Sequence, residues 1–225
     1  AGVSVIDVAK SLGAGLAKAA CCGRINGEVA DLRTPITEDC QLEICTFDDE
    51  DGKKTFWHTS SHVMAQAVKR LYPQAKFAIG PAIKEGFYYD FDVEKPFTPE
   101  DIEKIEAEMK KIVKENLKFT VYEKPRAEAI ALMEERGEKY KVEHIGDLDD
   151  DARITFYQQG DYIDMCVGPH ICYTKALKAF KLTGVSGAYW KGDKDNKMLT
   201  RINGVAFATK EELDEHMHML EEAKK

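Results

Sequence analysis

The chain has 225 residues, of which 44% are hydrophobic and 32% charged, a composition typical of a globular protein with one sizeable core or two smaller ones. Its formal net charge of −8 argues against a surface coated by nucleic acid, yet it is compatible with one local groove for an RNA end, because salt screens distant charges. The N-terminal stretch lacks a secretory signal and no apolar run approaches the roughly 20 residues of a membrane span, so we expect a cytoplasmic protein without membrane contact. The six cysteines follow no disulfide spacing and are expected to be free thiols.

Residues 1–47 predict a first compact unit. The segment "SVIDVAKSLGAGLAKAA" has apolar residues at helical spacing, Asn26-Gly27 is a strong hairpin signal, and "CQLEICTF" alternates as a strand does. The acidic stretch "DDEDGKK" at 48–54 is interpreted as a solvated turn or linker. We therefore place a domain boundary there, with a second domain over 48–225.

The second unit mixes helices and strands. A helix is expected to begin near Ser60, and "KFAIGPAIKEGFYYDFD" predicts two strands. The clearest helix has Thr98 as its N-cap and Pro99 at its first position. A helix ending at Gly137, a hairpin around Gly160, the strand "MLTRINGVAFA" and a capped terminal helix follow. Because no regular β-α-β alternation is visible, the pattern favours an α+β fold with mixed or antiparallel sheets.

Two distant segments carry the chemistry. In "HTSSH", His58 and His62 are four residues apart and would share one face of a helix. In "DYIDMCVGPH", the period of a strand puts Asp164 and Cys166 on the same side, and the Gly-Pro turn brings in His170. Three histidines, a cysteine and an aspartate carboxylate together predict a metal or catalytic site.

Two interpretations of this cluster stay open on spacing alone. His58, His62, Cys166 and His170 form an acceptable tetrahedral zinc set. In a metal-free pocket, an imidazole would orient or deprotonate water while Asp164 and Cys166 hold a polar substrate.

The motifs resemble a known family. The segments "FWHTSSHVMAQAVKRLYP", "AIGPAIKEGFYYDFD", "GEKYKVEHI", "YIDMCVGPH" and "GAYWKGDKDNKMLTRINGVAFATKEELDEHMHMLEEA" are similar to the N-terminal region of bacterial-type threonyl-tRNA synthetases. The resemblance implies that residues 1–47 form a TGS domain, a small ubiquitin-like β-grasp module. It also implies that residues 48–225 form an editing domain, which hydrolyses the ester of threonine tRNA wrongly charged with serine.

The resemblance has consequences for cofactors and partners. The synthetase core, with its ATP and its zinc, would follow "EEAKK", and no class II motif is present, so we expect no aminoacylation. The expected partners are the acceptor end of tRNA(Thr) carrying serine and the remaining synthetase domains. The threonyl family is understood to edit without a metal, whereas similar motifs in the alanyl family are associated with zinc. The resemblance therefore favours no cofactor, with a zinc-dependent deacylase or a non-catalytic tRNA-binding module as alternatives.

The same resemblance assigns the catalytic roles. His58 matches the residue that activates or orients water, and Lys141 in "YKV" matches a lysine near the ester. From the local sequence alone, Lys141 would be a solvated loop lysine.

It also assigns the substrate-binding residues. Asp164 and Cys166 match residues that bind the amino group and hydroxyl of the amino acid, and Tyr89 matches a substrate-side tyrosine. His62 and His170 would complete the pocket wall. A basic residue is expected in many relatives between the cysteine and "GPH", where this chain has Val167, so that a phosphate or ribose contact there is not expected from this side chain.

Overall fold

Three antiparallel sheets and seven helices make up residues 2–225, the part of the chain described by this computed structural model. The helices are α1 Val5–Leu12, α2 Ala14–Ala19, α3 Glu50–Leu71, α4 Pro99–Glu115, α5 Arg126–Glu135, α6 Lys139–Gly146 and α7 Lys210–Glu222. The strands are β1 Cys22–Ile25, β2 Glu28–Ala30, β3 Leu42–Cys45, β4 Lys76–Phe77, β5 Ala82–Ile83, β6 Gly86–Asp92, β7 Phe119–Pro125, β8 Arg153–Gln159, β9 Tyr162–Met165, β10 Ala179–Tyr189 and β11 Met198–Phe207. The α+β class is confirmed. Within the described residues no helix combines the length and apolarity needed to cross a bilayer.

The first sheet has the order β2-β1-β3 and belongs to the N-terminal unit. The predicted hairpin joins β1 to β2, with Asn26 at φ 52° and Gly27 at φ 86°, as a tight two-residue turn requires. Helix α1 packs on this sheet through Val5 and Ala9, which are fully buried together with Leu32. This small core holds the segment after β2 in place, which matters for the site described below.

The predicted linker at 48–54 is wrong, because α3 begins at Glu50 rather than near Ser60. The acidic residues fill the first helical turn, where carboxylates interact favourably with the helix dipole. Gly52 allows this turn to lie against the first unit, since a Cβ there would lie 1.8 Å from the carbonyl oxygen of Thr46. Helix α3 therefore starts in contact with the N-terminal unit and runs without interruption into the second.

The second sheet, in the order β10-β11-β6-β4, carries the main core beneath α3 and α4. The N-cap prediction for α4 is confirmed: Thr98 and Asp101 form a reciprocal capping box. The side chains of Ile105, Met109 and Ile112 are buried in the core. The sheet thus supports α3 along its length and fixes the face that this helix presents.

The third sheet, β7-β8-β9, is covered by α5 and α6. The alternation predicted for β9 is confirmed: Ile163 and Met165 pack into the small core under these helices, whereas Tyr162 and Asp164 face the opposite way. That opposite side of β9 faces α3, which brings the two motif segments together. Strands β7 and β10 and helix α6 were not predicted from the sequence.

Candidate functional site

The site lies between the middle of α3 and the segment that follows β9. Helix α3 contributes His58 and His62, and the loop after β9 contributes Cys166 and His170. One donor atom from each of these four side chains lies within 4.8 Å of the others. The structure therefore brings together both sequence segments that carry histidine and cysteine.

The three imidazoles form a packed group. The ring of His170 is stacked on that of His58, with centroids 4.4 Å apart and an interplanar angle of 26°. Its centroid is 4.2 Å from that of His62, and the two helix histidines are 4.9 Å apart. Phe119 stacks with His170 at 5.5 Å. The central ring, His170, is thus held between aromatic neighbours.

His170 has polar contacts at both ring nitrogens. The buried hydroxyl of Thr59 lies 2.8 Å from Nδ1 of this ring and accepts the amide N–H of Ile171 at 3.2 Å. Nε2 lies 3.2 Å from Sγ of Cys166. A hydroxyl and a thiol can each donate or accept, so either neutral tautomer of His170 satisfies both contacts. The two contacts fix the orientation of the ring toward the thiol.

The helix histidines are neutral at pH 7. Burial lowers the pKa of His58 from its ordinary 6.5 to about 4 and that of His62 to about 3, although the Asp164 carboxylate acts in the opposite direction. His58 is only partly buried, and as a neutral imidazole it keeps a lone pair on one ring nitrogen. Nδ1 of His62 is fully buried without a hydrogen-bond partner in the described part of the chain. Of the two, His58 is the imidazole that reaches the open cavity as a base.

Asp164 is the charged centre behind the histidines. Its Oδ2 accepts hydrogen bonds from Tyr89 at 2.7 Å and Tyr162 at 2.9 Å, and its Oδ1 pairs with Nζ of Lys141 at 2.9 Å. Burial by itself would raise the pKa of Asp164, but the Lys141 ammonium, the nearby His62 and the hydroxyl donors hold it at about 2. The site therefore contains a buried, ionised carboxylate paired with a buried cation.

Two assigned residues lie in unexpected surroundings. Lys141 is on helix α6 and is 5% exposed, so the interpretation as a solvated loop lysine is wrong. Tyr89, on β6, is fully buried, and its hydroxyl donates a hydrogen bond to Asp164. Lys141 lines the cavity, whereas the ring of Tyr89 belongs to the core beneath it.

A cavity of about 670 Å³ opens in front of the cluster. This volume falls in the range of sites for small organic ligands. His58, His62, Lys141, Asp164 and Cys166 line its polar floor. The rim is mainly apolar and includes Val29, Ile79, Leu148 and Val167, and the basic side chains of Lys54 and Arg153 also border it. Val167 is 91% exposed, so the hydrophobic residue at this position stands free at the mouth.

The fit to a zinc ion is partial. Three imidazoles and one thiol suit zinc in kind, and their 4.8 Å spread is close to the roughly 3.3–3.8 Å edges of a tetrahedron with bonds of 2.0–2.3 Å. An imidazole binds a metal in its own ring plane, however, and the near-parallel planes of His58 and His170 do not converge on one point. A zinc-bound form would require rotation of a ring.

Cys166 is a thiol in this arrangement. Burial and the charge of Asp164 raise the pKa of the Cys166 thiol above its ordinary value. Its sulfur lies 3.2 Å from Nε2 of His170 and faces the cavity floor, so it offers a weakly polar contact to a bound group rather than a nucleophilic thiolate.

Sequence reasoning missed several residues that shape the site. Thr59 lies beside His58 on the same helix, and that position was an available signal. Asp31 and Arg33 come from the N-terminal unit and contact the backbone of His170. No local pattern in "ADLRT" indicates this contact, because the two segments are more than 130 residues apart.

Comparisons with known proteins match both units. The TGS domain family matches residues 1–46, and the Threonyl and Alanyl tRNA synthetase second additional domain matches residues 154–203. The chain is 58% identical over 224 residues to the threonine--tRNA ligases of Acetivibrio thermocellus and Clostridium tetani, and 57% identical over 224 residues to that of Clostridium novyi. Each alignment covers 100% of this chain and 35% of the relative, so the chain spans about a third of the length of the curated relatives it matches.

Proposed function

Because the chain is homologous over its whole length to the N-terminal regions of threonine--tRNA ligases, we propose that it edits tRNA(Thr) by hydrolysing the ester bond of wrongly attached serine. The observation that supports this most directly is a neutral, partly exposed His58 on the floor of a ligand-sized cavity that also contains the Lys141 cation. Neutral imidazole and a nearby cation are the two groups that water attack on an ester uses.

In this proposal His58 is the base. Its free ring nitrogen accepts a proton from a water molecule as the water oxygen bonds to the ester carbonyl carbon. The carbonyl π pair moves to its oxygen, giving a tetrahedral oxyanion, and collapse of this species breaks the bond to the ribose oxygen. His58 returns the proton to that oxygen, so the products are serine and tRNA. General-base assistance of this kind is worth about 10²- to 10⁴-fold.

Lys141 supplies positive charge at the reacting group. Asp164 holds Nζ at 2.9 Å, and the Tyr89 and Tyr162 hydroxyls hold Asp164 in turn. The preorganised ammonium stabilises negative charge on the oxyanion without reorganising at the moment of reaction. Asp164 and the Cys166 thiol are proposed to receive the amino group and hydroxyl of serine, with His62 and His170 as the wall.

The need for such a site follows from the chemistry of the two amino acids. A synthetase pocket that accepts threonine rejects serine, which lacks one methyl group, by only roughly 1–3 kcal/mol. A second pocket that admits serine and excludes the extra methyl group multiplies the discrimination. We propose that the side chains beside Cys166 form this second pocket and exclude the methyl group of threonine.

The experiment is hydrolysis of seryl- and threonyl-tRNA(Thr), before and after exhaustive chelation. Seryl-selective turnover that survives chelation is expected. Selective turnover that chelator abolishes and zinc restores would instead support the second candidate, a zinc-dependent deacylase with His58, His62, Cys166 and His170 as ligands, which the 4.8 Å donor cluster favours. Binding of the charged tRNA without turnover would support a tRNA-binding module and contradict the proposal.

The wider setting belongs to the same proposal. We place the domain boundary at residues 47 and 48, just before α3 begins at Glu50, and infer that the chain acts in the cytoplasm together with the remaining domains of a synthetase. Those remaining domains would carry the ATP and zinc sites of aminoacylation. The acceptor end of tRNA(Thr) would enter the cavity past its apolar rim.

A further inference from the structure

The N-terminal unit reaches into the site through two side chains. Asp31 accepts the backbone N–H of His170 on Oδ2 at 3.1 Å, and Arg33 donates to the backbone carbonyl of His170 at 2.8 Å. Both backbone polar groups of His170 are therefore bound by the unit that matches the TGS domain family, 139 and 137 residues away in the chain.

Asp31 and Arg33 are themselves fixed as a pair. The Asp31 carboxylate accepts from a terminal nitrogen of Arg33 at 3.1 Å and from the backbone N–H of Arg33 at 2.8 Å, and Nε of Arg33 lies 2.9 Å from Oδ1 as an ion pair. Their side chains are 14% and 18% exposed. Oδ2 of Asp31 also accepts the hydroxyl of Tyr157 at 2.7 Å, and the ring of Tyr157 lies edge-on to His170 at 4.5 Å. A mostly buried ion pair with several charge-assisted hydrogen bonds has little freedom to move.

His170 contacts both the proposed base and the thiol of the cluster. The imidazole of His170 stacks on His58, the proposed base, and its Nε2 lies 3.2 Å from the thiol sulfur of Cys166. Its side-chain contacts come from the second unit, through Thr59 and Cys166, whereas its backbone contacts come from the first. A shift of the first unit would therefore displace this ring relative to both neighbours.

We propose that Asp31 and Arg33 are positioning residues for hydrolysis: the N-terminal unit completes the editing site by fixing the backbone of His170 and, through it, the stack on His58. This inference rests on the proposed function. Since a displacement of about 1 Å in a catalytic group can lower a rate by 10²-fold, loss of either contact should lower turnover without weakening tRNA binding.

The variants are Asp31→Asn and Arg33→Met in the full chain. In Asp31→Asn, an amide nitrogen replaces one carboxylate oxygen and faces a group that had donated a hydrogen bond to that oxygen. Arg33→Met keeps the aliphatic volume of the side chain but removes its donors. Arg24→Met is the matched control, because Arg24 is 22% exposed and also links the units, to Asp51 at 2.7 Å, but does not contact His170.

Steady-state hydrolysis of seryl-tRNA(Thr) and the ¹⁵N resonances of the His170 ring are measured for each variant. In both test variants we expect kcat to fall by at least about ten-fold and KM to stay within two-fold of the wild type. The His170 resonances should shift. Arg24→Met should leave both readouts unchanged. Arg33→Lys, which keeps the charge and one donor group, should recover part of the rate and keeps the test informative if Arg33→Met does not fold.

Three outcomes would overturn the inference. They are wild-type kcat and resonances in the folded test variants, a rise in KM alone, and an equal loss in Arg24→Met. A wild-type chain without seryl-tRNA turnover would refute the proposed function instead. In that case the His170 resonances alone still decide whether Asp31 and Arg33 position the ring.

Discussion

Replacing Lys141 with methionine removes the ammonium that pairs with Asp164 while keeping most of the length of the side chain. The carboxylate is 2% exposed and would be left ionised in a site where burial opposes its charge. Two tyrosine hydroxyls would still donate to it, at 2.7 and 2.9 Å. The question is how much of the stability of the folded chain depends on this one cation.

Breaking a buried ion pair by removing one partner typically costs about 3–5 kcal/mol. The remaining hydroxyl donors place Lys141→Met at the lower end, so we expect the free energy of unfolding to fall by about 3 kcal/mol. The Lys141 ammonium is the largest of the contacts that lower the pKa of Asp164 against the effect of burial, so its loss leaves the carboxylate without its main compensation. Urea unfolding followed by circular dichroism measures the change.

Lys139→Met is the matched control on the same helix. Its ammonium pairs with Asp92 at 3.3 Å but is 62% exposed, so the loss should stay below about 1 kcal/mol. Adding Asp164→Asn to Lys141→Met should recover most of the lost stability, because the buried charge is then gone. A loss below about 1 kcal/mol in Lys141→Met, or no recovery in the double variant, would refute the reasoning that the pair is buried and coupled.

The remaining predictions concern the histidines, the thiol and one glycine. His58→Ala should leave the unfolding midpoint nearly unchanged and lower single-turnover hydrolysis of seryl-tRNA(Thr) by about 10²- to 10⁴-fold; full activity would remove His58 as the base. Cys166→Ala should likewise fold and lose activity strongly, and wild-type turnover would contradict a substrate contact at the thiol. The pKa values of His58 and His62 are about 4 and 3 in the folded chain and 6.5 in the unfolded chain, so below pH 6.5 the unfolded state binds more protons. The free energy of unfolding should therefore be highest above pH 6.5 and fall as the pH drops toward 4. Urea unfolding at pH 7, 5.5 and 4.5 should show this loss, and a flat profile would contradict it. Gly80→Ala would place a Cβ 2.0 Å from the Tyr89 ring, so a melting curve should show a destabilisation of about 1–3 kcal/mol, and an unchanged midpoint would mean that the ring moves freely.

Features encoded within a few residues were predictable from the sequence. The capping box at Thr98, the Asn26-Gly27 hairpin and the alternation of β9 each depend on neighbours at spacings of one to four residues. The pairing of His58 with His62 and the common direction of Asp164 and Cys166 followed from the same periodicities. Of the seven residues that the family resemblance named, five line one cavity, whereas His170 lies behind them in the donor cluster and Tyr89 lies in the core.

Features that depend on distant contacts were decided by the tertiary structure. Whether 48–54 is a linker or a helical turn depends on the close packing of Gly52 against Thr46, and an acidic composition suits both. Lys141 is buried because its ammonium pairs with Asp164, which lies in another element. The buried hydroxyl of Tyr89 has its hydrogen-bond partner in the same carboxylate.

The sequence by itself thus determined the local elements and the two chemical motifs, because hydrophobic period, caps and turns are properties of short segments. Only the tertiary structure decided how the motifs are oriented and held. The contact of Asp31 and Arg33 with His170 joins residues 139 and 137 positions apart, and it forms because two separately encoded units pack against each other. Such a contact has no local pattern, since its geometry arises only when both backbones are already in place.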